Sequence, residues 1–169
     1  FPLIEVPGLG ASLKLGVDRL SSLFLMVTSL IALCATLYSL RYILVYEDEN
    51  LIRYYPFFLL FIASVISVVS ARDMFFFIIF WELMTLTSYV LVVFEKKEPA
   101  SMRAGLKYFI TTHVATVCMI LATVILYINS PQKSFEFKAL RDSMNALLTI
   151  SPGTVHLVLA LFFVGFATK

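Results

Sequence analysis

Long runs of apolar residues alternate along this chain with short stretches of charged and polar residues. A helix needs about 20 apolar residues to cross a bilayer, and the runs have lengths near that value or somewhat below it. They predict spans at residues 20–45, 54–71, 74–94, 108–128 and 155–169. The pattern therefore predicts an all-α integral membrane fold, a polytopic helical bundle with about five transmembrane helices.

The segment 134–149 between the last two spans is polar but retains a helical pattern. Its apolar residues fall mostly at spacings of three and four: Phe135, Phe137, Leu140, Met144, Leu147 and Leu148. This spacing predicts a short amphipathic helix lying at the membrane interface, with Ser134 as its N-cap. Arg72 and Asp73, between two long apolar runs, predict a very tight reversal of the chain.

The composition agrees with a membrane protein and excludes an ordinary soluble domain. Hydrophobic residues make up 60% of the chain and charged residues 14%, against about 45–50% and about 25% in soluble domains. The mean hydropathy is +0.93. A small soluble globule could not cover so much apolar surface.

The charged residues and cysteines exclude several functions. The net charge of +2 gives no basic stripe, so we expect no nucleic-acid partner. Cys34 and Cys118 both lie within apolar runs, which disfavours a disulfide or metal site. The sequence also lacks a glycine-rich phosphate loop and a metal-ligand cluster. We therefore expect neither a cofactor nor a metal in this chain.

The chain has 169 residues, begins at Phe1 and stops at Lys169, directly after an apolar run. We therefore expect it to be an internal piece of a longer protein. Lysine and arginine residues divide evenly between the two predicted sides of the membrane. The positive-inside rule consequently leaves the orientation open.

Glu82 is the first of three ionisable candidate residues that the sequence places inside a predicted span. It follows Met74 by eight residues, or about 12 Å of helix, which puts it near the middle of the bilayer. Thr85 and Tyr89 lie on the same helical face and form a hydroxyl-lined stripe that can hold water and carry a proton. The alternative is a permanently protonated or paired carboxyl that holds helices together.

Lys169 is the second such residue, because it lies about 21 Å into the last predicted span. Gly165 precedes it and would allow close approach of another helix or local unwinding. The alternative is that the apolar run ends here and the ammonium group reaches the membrane surface.

His113 is the third, near the start of the fourth span. It borders a face that carries Thr112, Thr116 and Thr123, and a histidine with hydroxyl neighbours can relay protons near neutral pH. A histidine that only forms a structural hydrogen bond is the alternative. Lys107 is a further relay candidate, although its position nearer the surface favours snorkelling into the headgroups.

Four segments together resemble one family. Residues 80–89 (FWELMTLTSY) are similar to the fifth-helix signature of the antiporter-like subunits of respiratory complex I, Mrp cation/proton antiporters and membrane-bound nickel–iron hydrogenases of the formate hydrogenlyase type. Residues 105–114 (GLKYFITTHV) resemble the start of the sixth helix of these subunits, and residues 161–169 (LFFVGFATK) the seventh. Residues 16–20 (GVDRL) resemble the approach to the third helix.

The resemblance implies an arrangement and a pair of working residues. The chain would hold helices three to seven, which form one half-repeat of an inverted-repeat antiporter-like fold. Glu82 would be the partner of a lysine on a discontinuous seventh helix, here Lys169, and the two groups would titrate as a pair. The sixth helix departs from the most distal complex I subunit, because Thr116 stands where that subunit has an acid. His113, in place of the basic residue of that subunit, and residues 134–137 (SFEF) favour the hydrogenase-associated branch.

The function implied is translocation of protons, or exchange of Na⁺ for protons, within a redox-driven membrane complex. Its partners would be other antiporter-like and membrane subunits, together with peripheral subunits that carry the electrons. The expected location is an energy-transducing membrane, the cytoplasmic membrane of a bacterium or archaeon. Two alternatives remain open: a stand-alone secondary carrier of a cation or solute, and a purely structural membrane anchor.

Overall fold

The computed structural model describes residues 4–6, 8, 10–43, 51–94 and 99–168, and all of their side chains except those of 51–53 and 99. In chain order, the elements are β1 (Ile4–Val6), β2 (Ala11–Leu13), α1 (Arg19–Tyr42), α2 (Leu51–Ser70), α3 (Met74–Val92), α4 (Pro99–Ile128), α5 (Phe137–Ile150) and α6 (Pro152–Ala167). Lys169 and the end of the first predicted span lie outside the described residues.

In the part of the chain that the structure describes, every predicted span overlaps a helix. Within the described residues, three helices are long and apolar enough to cross a membrane, namely Arg19–Tyr42, Met74–Val92 and Ala100–Ile128. Tyr54–Ser70 and Pro152–Ala167 are shorter apolar helices. The predicted all-α polytopic membrane fold is confirmed. The fourth helix starts at Pro99 and not at residue 108, because proline is favoured in the first turn and the polar residues that follow continue the helix.

The helices pack in sequence order, α1 on α2, α2 on α3 and α3 on α4, and α6 packs on α4. The largest apolar cluster lies between α3, α4, α5 and α6 and comprises Met74, Met119, Ala122, Leu126, Leu140, Leu147, Val155 and Val158. By contrast, α1 exposes large apolar side chains on most of its surface, such as Met26 and Tyr38. Exposed apolar faces of this kind in a membrane protein contact lipid or further transmembrane segments.

Helix α5 has the amphipathic character that the sequence predicted. Ala139, Leu140, Ser143 and Leu147 form its buried face against α4 and α6. The predicted cap at Ser134 was wrong, because the helix begins at Phe137 with Glu136 as its N-cap residue. The hydroxyl of Ser134 instead accepts a hydrogen bond from the Glu136 N–H (3.2 Å). The backbone before α5 is extended, since it pairs with the start of α3.

One end of the bundle is closed by a structure that we call the polar cap: the β1–β2 hairpin, the turn 71–73 and the segment 130–136. The N–H of Gly16 donates to Ser70 O (2.9 Å), and that of Arg72 donates to Lys14 O (3.0 Å). Ion pairs join Lys14 to Glu136 and Arg72 to Asp18. The cap thus gives partners to backbone groups that helix ends leave unsatisfied. Its strands of three residues each are too short for sequence periodicity to reveal.

Asp73 connects the polar cap to α3. Its carboxylate is fully buried and accepts hydrogen bonds from the N–H groups of Phe75 (2.9 Å), Phe76 (3.4 Å) and Ser12 (3.2 Å). Burial raises the pKa of Asp73, and the backbone N–H donors oppose that increase only in part. The tight reversal predicted at residues 72–73 is therefore fixed by a side chain that caps one helix and binds the hairpin.

Replacing Asp73 by alanine is expected to lower the free energy of unfolding by about 3 kcal/mol, because the change removes a helix cap and leaves buried N–H groups without an acceptor. Thermal unfolding of the full-length protein in detergent measures the loss. Asp73→Asn keeps one acceptor oxygen for Phe75 and Phe76 but turns an NH₂ group toward the Ser12 N–H, so we expect a loss smaller than that of Asp73→Ala. Asp142→Ala on the exposed face of α5 is the surface control. An unfolding temperature for Asp73→Ala equal to that of Asp142→Ala would contradict this role.

Candidate ion-translocation site

Glu82 lies in the middle of α3, and its carboxyl faces the bundle only in part. The side chain is 25% exposed. Its Oε1 atom is buried and has no hydrogen-bond partner within the described part of the chain. A carboxyl at this depth is costly unless it is protonated, paired or hydrated. The structure thus places Glu82 inside the bundle, as the sequence predicted, and its part in ion translocation stays a prediction.

The other carboxyl oxygen contacts a histidine on the next helix. Nε2 of His113 lies 3.3 Å from Oε2 of Glu82. The opposite ring nitrogen, Nδ1, lies 2.8 Å from the carbonyl oxygen of Phe109, one turn earlier on α4. The ring of Phe109 also packs on the imidazole, with 4.0 Å between the ring centroids. Two residues that the sequence identified separately thus form one contact.

Two contacts fix the register between α3 and α4, and they lie toward the C-terminal end of α3 and the N-terminal end of α4. The hydroxyls of Ser88 and Tyr108 are hydrogen-bonded at 2.6 Å. Gly105 lies so close to α3 that a Cβ atom would overlap the Val93 side chain and lie 3.3 Å from the Tyr89 ring. This close approach near Gly105 and the antiparallel direction of the helices bring His113 opposite Glu82.

The threonines of the predicted relay are buried but donate to their own helices. Thr85 donates to Trp81 O (3.0 Å), Thr112 to Tyr108 O (2.8 Å) and Thr116 to Thr112 O (3.1 Å). Thr123 does the same to Met119 O (2.8 Å). Back-bonding of this kind satisfies a hydroxyl in an apolar helix. Their part in a proton relay stays a prediction. Because each hydroxyl hydrogen is donated to the backbone, these threonines can only accept a further hydrogen bond.

Tyr89 and Lys107, the remaining relay candidates, occupy different surroundings. Tyr89 is partly buried, and its ring lies 5.1 Å from that of Phe109, which in turn holds His113. Lys107 is exposed. It precedes His113 by six residues, or about 9 Å of helix. The structure thus places Tyr89 beside the site and Lys107 toward its outer edge.

The last turns of α6 reach the same level of the bundle. Gly165 is buried against α4, where a Cβ atom would overlap Met119 and lie 3.1 Å from Ala115 O. The ring of Phe166 contacts Trp81, the neighbour of Glu82, with 5.6 Å between centroids. The described helix ends at Ala167, two residues before Lys169. The predicted contact between Lys169 and Glu82 stays a prediction.

Sequence reasoning missed the pairing of Glu82 with His113 and the part of Phe109. The only local signal was the spacing of four between Phe109 and His113, which places the two side chains on one helical face. The pairing itself depends on how two helices meet. No spacing within either helix encodes that register.

The sequence matches two families of membrane proteins. Residues 71–169 match the family described as "NADH:quinone oxidoreductase/Mrp antiporter, TM". Residues 3–55 match "NADH-Ubiquinone oxidoreductase (complex I), chain 5 N-terminus". The second match contains residues 16–20, and the first contains residues 80–89, 105–114 and 161–169, which are the segments on which the resemblance is based.

Several known proteins are similar to this chain over most of its length. Hydrogenase-4 component B of Escherichia coli is 33% identical over 94% of the chain. Chloroplastic NAD(P)H-quinone oxidoreductase subunit 5 of Chaetosphaeridium globosum is 30% identical over 88%. A putative antiporter subunit of Staphylococcus saprophyticus is 28% identical over 76%. The chain spans 22%, 22% and 16% of the lengths of these three relatives, respectively.

A solved structure agrees with these relationships. A chain in the membrane-bound sulfane sulfur reductase, an archaeal respiratory membrane complex, superposes with a TM-score of 0.73 and 27% identity. The match covers 99% of this chain and 25% of the other. The first family match extends over more than half of the sequence. This chain is therefore a membrane-embedded segment that belongs to the NADH:quinone oxidoreductase/Mrp antiporter transmembrane family.

Proposed function

We propose that this chain forms part of an ion-translocating subunit, which moves protons or exchanges Na⁺ for protons and couples electron transfer in partner subunits to an ion gradient. The observation that carries the proposal is the carboxyl of Glu82 in the middle of α3. One of its oxygens contacts His113, and the other is buried without a partner in the described part of the chain. Such a carboxyl can accept and release a proton when its surroundings change.

Lys169 supplies the change of surroundings in this proposal. This part of the proposal is supported by Phe166, three residues before Lys169 in the sequence, whose ring contacts Trp81 beside Glu82. An ammonium group close to the carboxylate stabilises its charge, and withdrawal of that group favours protonation. The Lys169 movement would thus load and unload Glu82.

The relatives support a redox-driven complex as the setting. Their names describe a hydrogenase component, a quinone oxidoreductase subunit and an antiporter subunit, and the structural neighbour belongs to a respiratory complex. Electrons would pass through peripheral partner subunits, with no redox cofactor in this chain. Other membrane subunits would pack against its exposed apolar faces, including that of α1.

Glu82→Gln tests the proposal in the full-length protein within its membrane complex. We expect proton translocation into vesicles to fall about a hundredfold, because a glutamine amide does not ionise near neutral pH and cannot take up and release a proton as a carboxyl does. Electron transfer by the redox subunits should continue. A pH-sensitive dye inside the vesicles measures the translocation. Glu136→Gln removes a carboxyl of the polar cap and serves as the matched control. Wild-type translocation by Glu82→Gln would overturn the proposal.

A further inference from the structure

The hydrogen bonds around His113 determine which of its nitrogens carries hydrogen. Nδ1 lies 2.8 Å from the carbonyl oxygen of Phe109. A carbonyl oxygen can only accept a hydrogen bond, so Nδ1 must be the donor. The neutral imidazole is therefore the Nδ1–H tautomer, with a lone pair on Nε2. His113 can donate from Nε2 only when the ring is protonated and positively charged.

The contact with Glu82 then requires one proton. Nε2 of His113 and Oε2 of Glu82 are 3.3 Å apart. A neutral Nδ1–H imidazole and a carboxylate would present two lone pairs to each other, which is repulsive. One shared proton resolves the conflict in either of two ways: the carboxylic acid donates to Nε2, or the imidazolium donates to the carboxylate. Transfer of the proton from the Glu82 carboxylic acid to Nε2 of His113 breaks an O–H bond and forms an N–H bond, and it needs no further reactant.

We propose that Glu82 and His113 form a two-residue unit that binds one proton, and that this unit makes the proton, rather than Na⁺, the ion that the site carries. The inference rests on the proposed function and names its coupling ion. His113 is the resting counter-group of Glu82. Oε1 is buried and has no hydrogen-bond partner in the described part of the chain, so His113 contacts the carboxyl through Oε2 alone.

The surroundings of the unit favour a proton over Na⁺. Hard cations in proteins take carboxylate, carbonyl or water oxygens, and transporters often expose backbone carbonyls to Na⁺ by unwinding a helix. Here α3 and α4 are continuous helices on both sides of Glu82 and His113. His113 also presents a nitrogen to the carboxyl, and its protonated ring would repel a metal cation. Each of these features opposes Na⁺ and is compatible with a proton.

Other titratable groups lie away from the carboxyl. Those described on α2, α4, α5 and α6 besides His113 are Tyr54, Tyr55, Arg103, Lys107, Tyr108, Cys118, Tyr127, Lys138, Arg141, Asp142 and His156. None of these described groups is within ion-pair or hydrogen-bond distance of the Glu82 carboxyl. On α3 itself, Tyr89 packs on Phe109 at 5.1 Å. Within the described residues, the shared proton is therefore governed by Glu82 and His113.

Nitrogen NMR of the full-length protein in liposomes tests the shared proton. With histidine labelled at both ring nitrogens, the spectrum of wild type minus that of His113→Gln isolates the signal of His113. We expect an Nδ1–H ring whose Nε2 is either a strong acceptor or protonated, and Glu82→Gln should shift the Nε2 resonance. His156→Gln, which changes an exposed histidine at the start of α6, should leave the signal unchanged. An Nε2–H neutral ring, or an Nε2 resonance insensitive to Glu82→Gln, would overturn the inference.

Transport measurements test the identity of the ion. We expect proton translocation by the wild-type complex to be equal in sodium-free and sodium-containing medium, and His113→Gln to lower it about a hundredfold in both. Translocation that requires Na⁺, or wild-type rates in His113→Gln, would overturn the inference. Either result can occur while Glu82→Gln is inactive, which would leave the proposed function standing. An active Glu82→Gln would overturn the proposed function itself.

Discussion

Replacement of Lys169 by alanine in the full-length protein is expected to abolish ion translocation while electron transfer by the partner subunits continues. In the proposed mechanism the Lys169 ammonium group approaches the Glu82 carboxyl and favours its charged form. Without that ammonium group, the proton held by Glu82 and His113 is no longer released. We expect the rate of proton uptake into vesicles, measured with a pH-sensitive dye, to fall about a hundredfold.

Two further variants make this result specific to the pair. Lys138→Ala removes an exposed lysine of α5, outside the candidate site, and should retain translocation. The double variant Glu82→Gln with Lys169→Ala should be no slower than either single variant, because both changes disable the same step. Independent, multiplying losses would show that the two residues act separately. Full activity after replacement by a well-packed apolar pair would favour the structural-anchor alternative.

The second large effect is expected at the contact between α6 and α4. Gly165→Ala places a methyl group where it overlaps Met119 and lies 3.1 Å from the carbonyl oxygen of Ala115. The backbone of α4 cannot yield as a side chain could, so α6 must shift. Overpacking of this kind costs about 1–3 kcal/mol. The shift also displaces Phe166 from Trp81, and we expect translocation to fall with stability.

Gly153 provides the matched control for this substitution, since it lies in the same helix. A Cβ atom at Gly153 would meet nothing within 4 Å. Gly153→Ala should therefore raise the free energy of unfolding by up to about 1 kcal/mol, through the better helix propensity of alanine. Thermal unfolding of the full-length protein in detergent compares the two variants. A stabilising effect of both would show that the Gly165 contact does not constrain α6.

Much of the fold could be predicted because water and hydrocarbon impose a strong pattern on a membrane chain. Within the described residues each predicted span overlaps a helix, since in lipid the backbone must satisfy its own hydrogen bonds. The prediction was weakest where that constraint ends. The polar start of α4 at Pro99 carries little hydropathy signal. Ser134 was wrongly predicted as a cap because the pairing of Phe135 with Gly10 and Met74 depends on distant parts of the chain.

The sequence alone identifies Glu82 and His113 as polar groups inside apolar helices, because burying such groups in hydrocarbon is costly and they are rare there. It also determined the family, through the segments around them. Only the tertiary structure decided that the two side chains meet, with Nε2 of His113 3.3 Å from Oε2 of Glu82. The physical reason is that the antiparallel register of α3 and α4 is set by packing near Gly105 and the Ser88–Tyr108 hydrogen bond. No periodicity within one helix contains that information.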